Sequence, residues 1–258
     1  MTKILGISAK KQGGKNTSLN YIFGQTMCDM GVISEFKIDD KGRLVVPTVD
    51  GDGKISWGGF DPLSRDPAVR QFMAETMDPY IKAYSFADPL KRFCVDVMGL
   101  REEQCFGTDD DKNTLAEPYA WEDFHKLGCD VLAGREPEQV MTGREVMQQF
   151  GTNIMRVLNF DIWTNATIRQ IKRETPGIAI ICDVRFINEV TCIQEAGGKV
   201  MRLMRAPFSG QDEHSSETAL DGYEGFDAFV DNRDVSIAEN NELVKNQLIE
   251  FWGNEVEV

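Results

Sequence analysis

The residues with the clearest capacity for chemistry lie within the first twenty positions. Gly6-Ile7-Ser8-Ala9-Lys10-Lys11-Gln12-Gly13-Gly14-Lys15-Asn16-Thr17 connects a short apolar run, Ile4 to Ser8, to an apolar-periodic stretch from Thr17 to Met30. Strand, glycine-rich turn and helix in that order are what a phosphate-cradling loop requires. Glycines let backbone N–H groups turn inward, the helix N-terminus adds partial positive charge, and Lys15 can reach the β- and γ-phosphates of a nucleoside triphosphate. Gly13, Gly14, Lys15, Asn16 and Thr17 are therefore the expected donor-binding residues. The match to Gly-x-x-x-x-Gly-Lys-Ser/Thr is incomplete. Ala9 stands where the first glycine belongs, and Asn16 cannot supply the usual hydroxyl, so Thr17 is expected to contact magnesium or a phosphate.

Other constellations carry less. Cys28, Cys94, Cys105, Cys129, Cys182 and Cys192 form no CxxC pair, and the histidines are His125 and His214. Neither a zinc site nor a disulfide framework is expected, and reduced thiols in a cytosol fit better. Asp50-Gly51-Asp52-Gly53 resembles the start of a calcium loop but lacks the downstream Glu, and reads as a hairpin turn.

The elements that must position the loop follow from the apolar pattern. Gly31 is a plausible stop for the first helix. Between residues 36 and 60, strand-like runs at Phe36–Ile38, Arg43–Pro47 and Lys54–Trp57 alternate with turn residues, and suggest a hairpin insertion acting as a lid or flap. A second strand over Ile81 to Phe86 leads into a helix reaching Met98, with Asp88 as N-cap and Pro89 in the first turn. The acidic stretch 101–140 has few periodic signals. Thr142 to Leu158 reads as one helix capped by Thr142, and Ile178 to Cys182 as a buried parallel strand. A helix over Asn188 to Ala196, then Gly197-Gly198 and a strand over Lys199 to Met204, completes a βαβ unit. The expectation is an α/β fold with a mostly parallel sheet, as a single domain over 1–258 with the 36–60 insertion.

Composition bounds the function. With 258 residues, 41% hydrophobic and 27% charged, the chain can bury a substantial core. No apolar run approaches the roughly 20 residues needed to span a bilayer, and the N-terminus lacks a secretory pattern, so a cytoplasmic protein is expected. A formal charge of −14 disfavours nonspecific binding to nucleic acid or anionic membrane. Anionic substrates would then be drawn in by local basic clusters.

Four segments together resemble the deoxynucleoside monophosphate kinases of tailed bacteriophages, a branch of the P-loop, adenylate-kinase-like monophosphate kinases. They are Ser8 to Thr17, with its Gly-Lys-x-Thr ending; Tyr84-Ser85-Phe86-Ala87-Asp88-Pro89-Leu90-Lys91-Arg92; Thr142 to Arg156; and Asp183-Val184-Arg185-Phe186-Ile187-Asn188-Glu189. His214-Ser215-Ser216-Glu217 adds a weaker fifth. The resemblance implies transfer of the ATP γ-phosphoryl group to a deoxynucleoside monophosphate, with a magnesium ion and a closing lid; enzymes of this kind occur as monomers and homodimers.

The resemblance distributes roles along the chain. Lys15 faces the donor and Lys11 the acceptor, because two approaching phosphoryl groups need cations on both sides. Arg92 or Lys91 would grip the acceptor phosphate near Asp88. Arg144, Gln148 and Gly151 share a face in a regular helix; Arg144 would bind phosphate, Gln148 read a base edge, and Gly151 with Thr152 admit a base or partner closely. Arg156 reaches the same pocket, and Trp163 either stacks on the base or belongs to the core. Asp183 would orient magnesium through water, and Arg185 contact phosphate or pair with Glu189. Arg202 or Arg205 would clamp the transferring group, and His214 with Glu217 would serve the lid. The rivals are a P-loop kinase with a different small acceptor and a non-catalytic nucleotide-binding protein.

Overall fold

β-branched and aliphatic runs become the strands of a parallel sheet. The computed structural model describes residues 2–49, 51–127, 136–205 and 219–253. Among these the strands are, in chain order, β1 (Lys3–Ser8), β2 (Lys37–Ile38), β3 (Leu44–Val49), β4 (Ile55–Phe60), β5 (Ile81–Tyr84), β6 (Leu115–Ala120), β7 (Val140–Thr142), β8 (Ile178–Ile181), β9 (Lys199–Leu203) and β10 (Ala228–Val230). The chain divides into two compact units, Met1–Ser85 with Ile168–Val258, and Phe86–Thr167.

The first unit is built on a five-stranded sheet of order β10-β9-β1-β8-β5. Every neighbouring pair is parallel. β1 lies at the centre, with Lys3 opposite Ile178 on one side and Ser8 opposite Arg202 on the other. All four residues of β8 are buried, which is why that strand reads as an unbroken apolar run. The expected βαβ unit is present, β8 and β9 being joined through the Ile187–Glu195 helix with β1 between them. Because the sheet is parallel, the chain leaves β1, β5, β8 and β9 along one edge, where α/β sheets bind ligands.

Helix α1 (Lys15–Asp29) contributes Leu19, Ile22, Phe23 and Met27 to a core shared with Leu5 and Ile7 of β1. Val244 and Leu248 of the Ile237–Trp252 helix join the same core. That last helix starts with a reciprocal cap, the Ser236 hydroxyl accepting from Glu239 N–H and the Glu239 carboxylate from Ser236 N–H. Strands β2, β3 and β4 form an antiparallel sheet over the 36–60 region. This sheet packs on α1: Leu44 and Val46 are buried in the core, and the Phe36 ring lies 2.4 Å from where a Cβ on Gly24 would sit.

In the second unit, the acidic stretch is organised into short elements. Helices Glu102–Phe106, Asp109–Lys112 and Trp121–Lys126 accompany the antiparallel β6–β7 pair. Cys94, Leu100, Cys105, Trp121, Phe124, Met141 and Val146 form their core. The expected 142–158 helix is interrupted. Thr142 caps a regular helix over Gly143–Gln148, with Glu145 completing the box, but Gln149–Met155 is a π-helix before a last turn at Arg156–Leu158. Asp88 is the first residue of the Asp88–Asp96 helix and not its cap; Ala87 holds the cap position without a side-chain bond.

Candidate functional site

The loop after β1 forms as its glycines dictate. Gly14, the residue before α1, takes φ 97°, and Gln12 takes a positive φ of 59°, a conformation that is costly for a residue with a side chain and tends to recur at functional loops. Gly13 has no room for a side chain: a Cβ there would sit 2.8 Å from both the Ala9 Cβ and the Arg205 carbonyl oxygen. The alanine at 9 and the second glycine at 13 are thus complementary features of one packed turn. The first turn of α1 has neither a side-chain cap nor an acidic residue. Its N–H groups and the positive end of its dipole are matched to an anion.

Lys15 is the cation of that turn. Its ammonium donates to the Ala9 carbonyl at 2.7 Å and the Lys10 carbonyl at 3.2 Å, so the side chain folds back across its own loop. Lys11 is exposed in the loop. Lys10 is paired with Asp221 at 2.5 Å. Asn16 is exposed at the helix start, whereas the Thr17 hydroxyl is turned toward the β2–β3 turn, 2.2 Å from where a Cβ on Gly42 would be.

Along the same sheet edge, Asp183 follows β8 and accepts a hydrogen bond from Ser85, which follows β5, at 2.5 Å. Lys15 and Asp183 both act on Cys182: burial, then the Asp183 charge, push its thiol pKa up, and Lys15 opposes them. The buried Glu189 carboxylate accepts from the backbone N–H of Arg185 at 2.7 Å and of Phe186 at 3.2 Å. Arg185 itself is exposed. Arg202 is 8% exposed and donates to Ser8 Oγ at 2.8 Å, with Asp221 at 3.7 Å. It braces the junction of β1 and β9, while Arg205 is exposed one turn of chain later.

The remaining predicted residues lie in the second unit. Lys91 and Arg92 stand over the Phe106 ring at 5.2 and 4.7 Å, and Arg92 also reaches Glu102 at 3.1 Å. Asp88 lies 4.0 Å from Lys91. Arg144 is held at 2.6 Å by Asp109 and at 3.1 Å by Asn113. Gln148 and Thr152 are exposed and Arg156 is half-buried. The shared face expected for Arg144, Gln148 and Gly151 assumed a regular helix, and the π-helix from Gln149 alters that register.

For two residues the packing matches the structural alternative stated above. Gly151 is glycine because Leu90 is beside it, 2.5 Å from where its Cβ would be. Trp163 is 6% exposed and donates its indole N–H to the Gly151 carbonyl at 3.1 Å, as the core alternative expects. The His214 and Glu217 reading, and Asp50 of the supposed calcium-like turn, lie outside the described residues.

Sequence reasoning missed two polar residues behind the loop. Ser8, fully buried, donates to the Val184 carbonyl at 2.9 Å while accepting from Arg202. Asn232, also buried, bonds to the loop itself. A lone serine at the end of an apolar run, or an asparagine in a charged turn, gives no periodic signal; only the topology brings these positions together.

Among the described residues, no helix is long and apolar enough to cross a membrane. The parallel sheet with its phosphate loop is the α/β architecture of a P-loop kinase. Residues 108–243 match the model of a family described as deoxynucleotide monophosphate kinase, a stretch that begins after the phosphate loop. The chain is also similar to a protein of Acanthamoeba polyphaga mimivirus, provisionally named a deoxynucleotide monophosphate kinase, with 30% identity over 158 residues that cover 58% of this chain and 75% of that protein. The chain belongs to the deoxynucleotide monophosphate kinase family.

Proposed function

We propose that this kinase transfers the γ-phosphoryl group of ATP to a deoxynucleoside monophosphate, giving the diphosphate and ADP. The observation that carries the donor assignment is the uncapped first turn of α1 behind a loop whose lysine is folded across it. The loop N–H groups and Lys15 would hold the β- and γ-phosphates. Magnesium, when bound, would supply positive charge against the charge that develops on the transferring phosphoryl group. Asp183, at the end of a strand beside the loop strand, is the residue suited to hold it through water.

Lys11, Arg185, Arg202 and Arg205 are the first unit's further phosphate-binding candidates. In the second unit, Lys91, Arg92 and Arg144 supply the cations for the acceptor phosphate, with Gln148, Thr152 and Arg156 as neighbours on the same segments. The present partners of Arg144, Asp109 and Asn113, would have to exchange for phosphate oxygens. The reaction needs no covalent intermediate and no general base, because the acceptor oxygen is already ionised. The charge of −14 supports a small-molecule substrate over nucleic acid or a membrane surface. The resemblance to phage enzymes supports a setting in the cytoplasm of an infected cell, as a monomer or homodimer.

The test is ADP release from ATP and magnesium against a panel of deoxynucleoside monophosphates, their ribonucleotide counterparts and the parent nucleosides. Release dependent on a deoxynucleoside monophosphate is expected. Release driven by a nucleoside instead, or independent of any acceptor, would overturn the acceptor assignment.

A further inference from the structure

Asn232 follows β10 by two residues and is 2% exposed. A buried carboxamide is costly unless each of its polar atoms is bonded. Its Oδ1 accepts from the Arg205 N–H at 2.8 Å, just past β9. Its Nδ2 donates to the Gly13 carbonyl at 3.1 Å and to Asn240 Oδ1 at 2.9 Å. One side chain thus ties the phosphate loop, the exit of β9 and the Ile237–Trp252 helix together. Gly14 is part of the same contact, since a Cβ there would lie 3.2 Å from Asn232 Nδ2.

We infer that Asn232 is a positioning residue for phosphoryl transfer, acting through Gly13 to preset the loop for the donor phosphates. In a trans peptide the carbonyl and the following N–H point in opposite directions. Holding the Gly13 carbonyl on the buried amide therefore turns the Gly14 N–H away from it, as an anion-binding loop needs. An apolar residue of similar size would leave that carbonyl orphaned. Aspartate would keep the acceptor for Arg205 but lose both donors. The inference rests on the reading that this loop holds the donor.

The experiment compares wild type, Asn232→Asp and Asn240→Ala. Readouts are calorimetric titration of ATP with magnesium in the absence of acceptor, KM for ATP and for the monophosphate, and Tm. Asn240→Ala removes one Asn232 bond but leaves the bond to Gly13, and so controls for stability alone. For Asn232→Asp, a rise of about tenfold or more in the ATP Kd and KM is expected, with the monophosphate KM within about twofold. Asn240→Ala should keep its ATP KM within about threefold even where Tm falls. An Asn232→Asp enzyme with unchanged ATP affinity, or one no weaker than Asn240→Ala at equal Tm, overturns the inference. If Asn232→Asp does not fold, Asn232→Ser, which buries no charge and is too short to reach Gly13, carries the same expectation and the same overturning result. Failure of the wild type to bind ATP would instead overturn the donor-loop reading, which separates the two claims.

Discussion

At the scale of single residues, charge and steric room make separate demands on the phosphate loop. Lys15 is within hydrogen-bond reach of two loop carbonyls, so its ammonium sits at the loop before any nucleotide arrives. Preorganised cations of this sort act mainly in the transition state. Lys15→Ala is accordingly expected to lower kcat by about 10²–10³-fold with Tm little changed, as read by ADP release and thermal melting. Gly13 makes a steric demand. A methyl group there meets Ala9, Arg205 and Lys10 at 2.8–2.9 Å, and two of those contacts are with backbone oxygens that cannot rotate away. Gly13→Ala should raise the ATP KM by about tenfold or more, and adding Ala9→Gly should recover only part of the loss. Full recovery in the double variant would show that the backbone contacts do not constrain the loop.

At the scale of elements, the π-helix at Gln149–Met155 marks a limit of what local sequence pattern encodes. A run of seven residues fits regular and π periodicity about equally well, so the Thr142 cap could be read from Thr142 and Glu145 but the break after Gln148 could not. The packing that accompanies the break is explicit in Gly151, against which Leu90 is seated. Gly151→Ala should destabilise by about 1–3 kcal/mol through overpacking, and Leu90→Ala in the same chain should return part of it, giving a non-additive double-mutant cycle by chemical denaturation. Strictly additive effects would mean that the two sites do not meet. Elsewhere the apolar runs at Ile4–Ser8 and Ile178–Cys182 gave their strands directly, because a strand buried on both faces is apolar throughout. β10 spans only Ala228–Val230, too short for any pattern. The cap of the last helix, by contrast, is encoded locally, in the spacing of Ser236 and Glu239. Of the candidate site, the loop was readable from spacing, whereas Asn232 and Ser8 acquire meaning only through strand order, which no local pattern encodes.

At the scale of the whole molecule, two electrostatic effects oppose each other as pH falls. With 42 acidic and 28 basic residues, mild acidification reduces net charge and self-repulsion, which favours the compact state. Against this stand carboxylates that stitch the sheet to its surroundings. Burial raises the pKa of Asp227, but hydrogen bonds from Lys199, Gln194 and the Val200 N–H outweigh it and leave the carboxyl below its ordinary value. For Glu174 burial is likewise outweighed, by Gln170, Tyr84 and Lys82. A group whose pKa is lower in the folded than in the unfolded state contributes stability above the unfolded pKa and loses it as pH falls through the folded one. The unfolded value for Asp is about 3.9, so the stitching is intact through the mildly acidic range and is lost only below it. Stability should therefore hold or rise slightly from neutral pH toward about 5 and fall steeply below about 4. Asp227→Asn is the discriminating variant. It should be less stable than wild type at pH 7, with a deficit that shrinks as pH drops through the acid range, because protonation removes from the wild type what the substitution has already removed. A deficit independent of pH would mean that the Asp227 contacts act through shape alone, and the acid transition would then have to arise from other carboxylates.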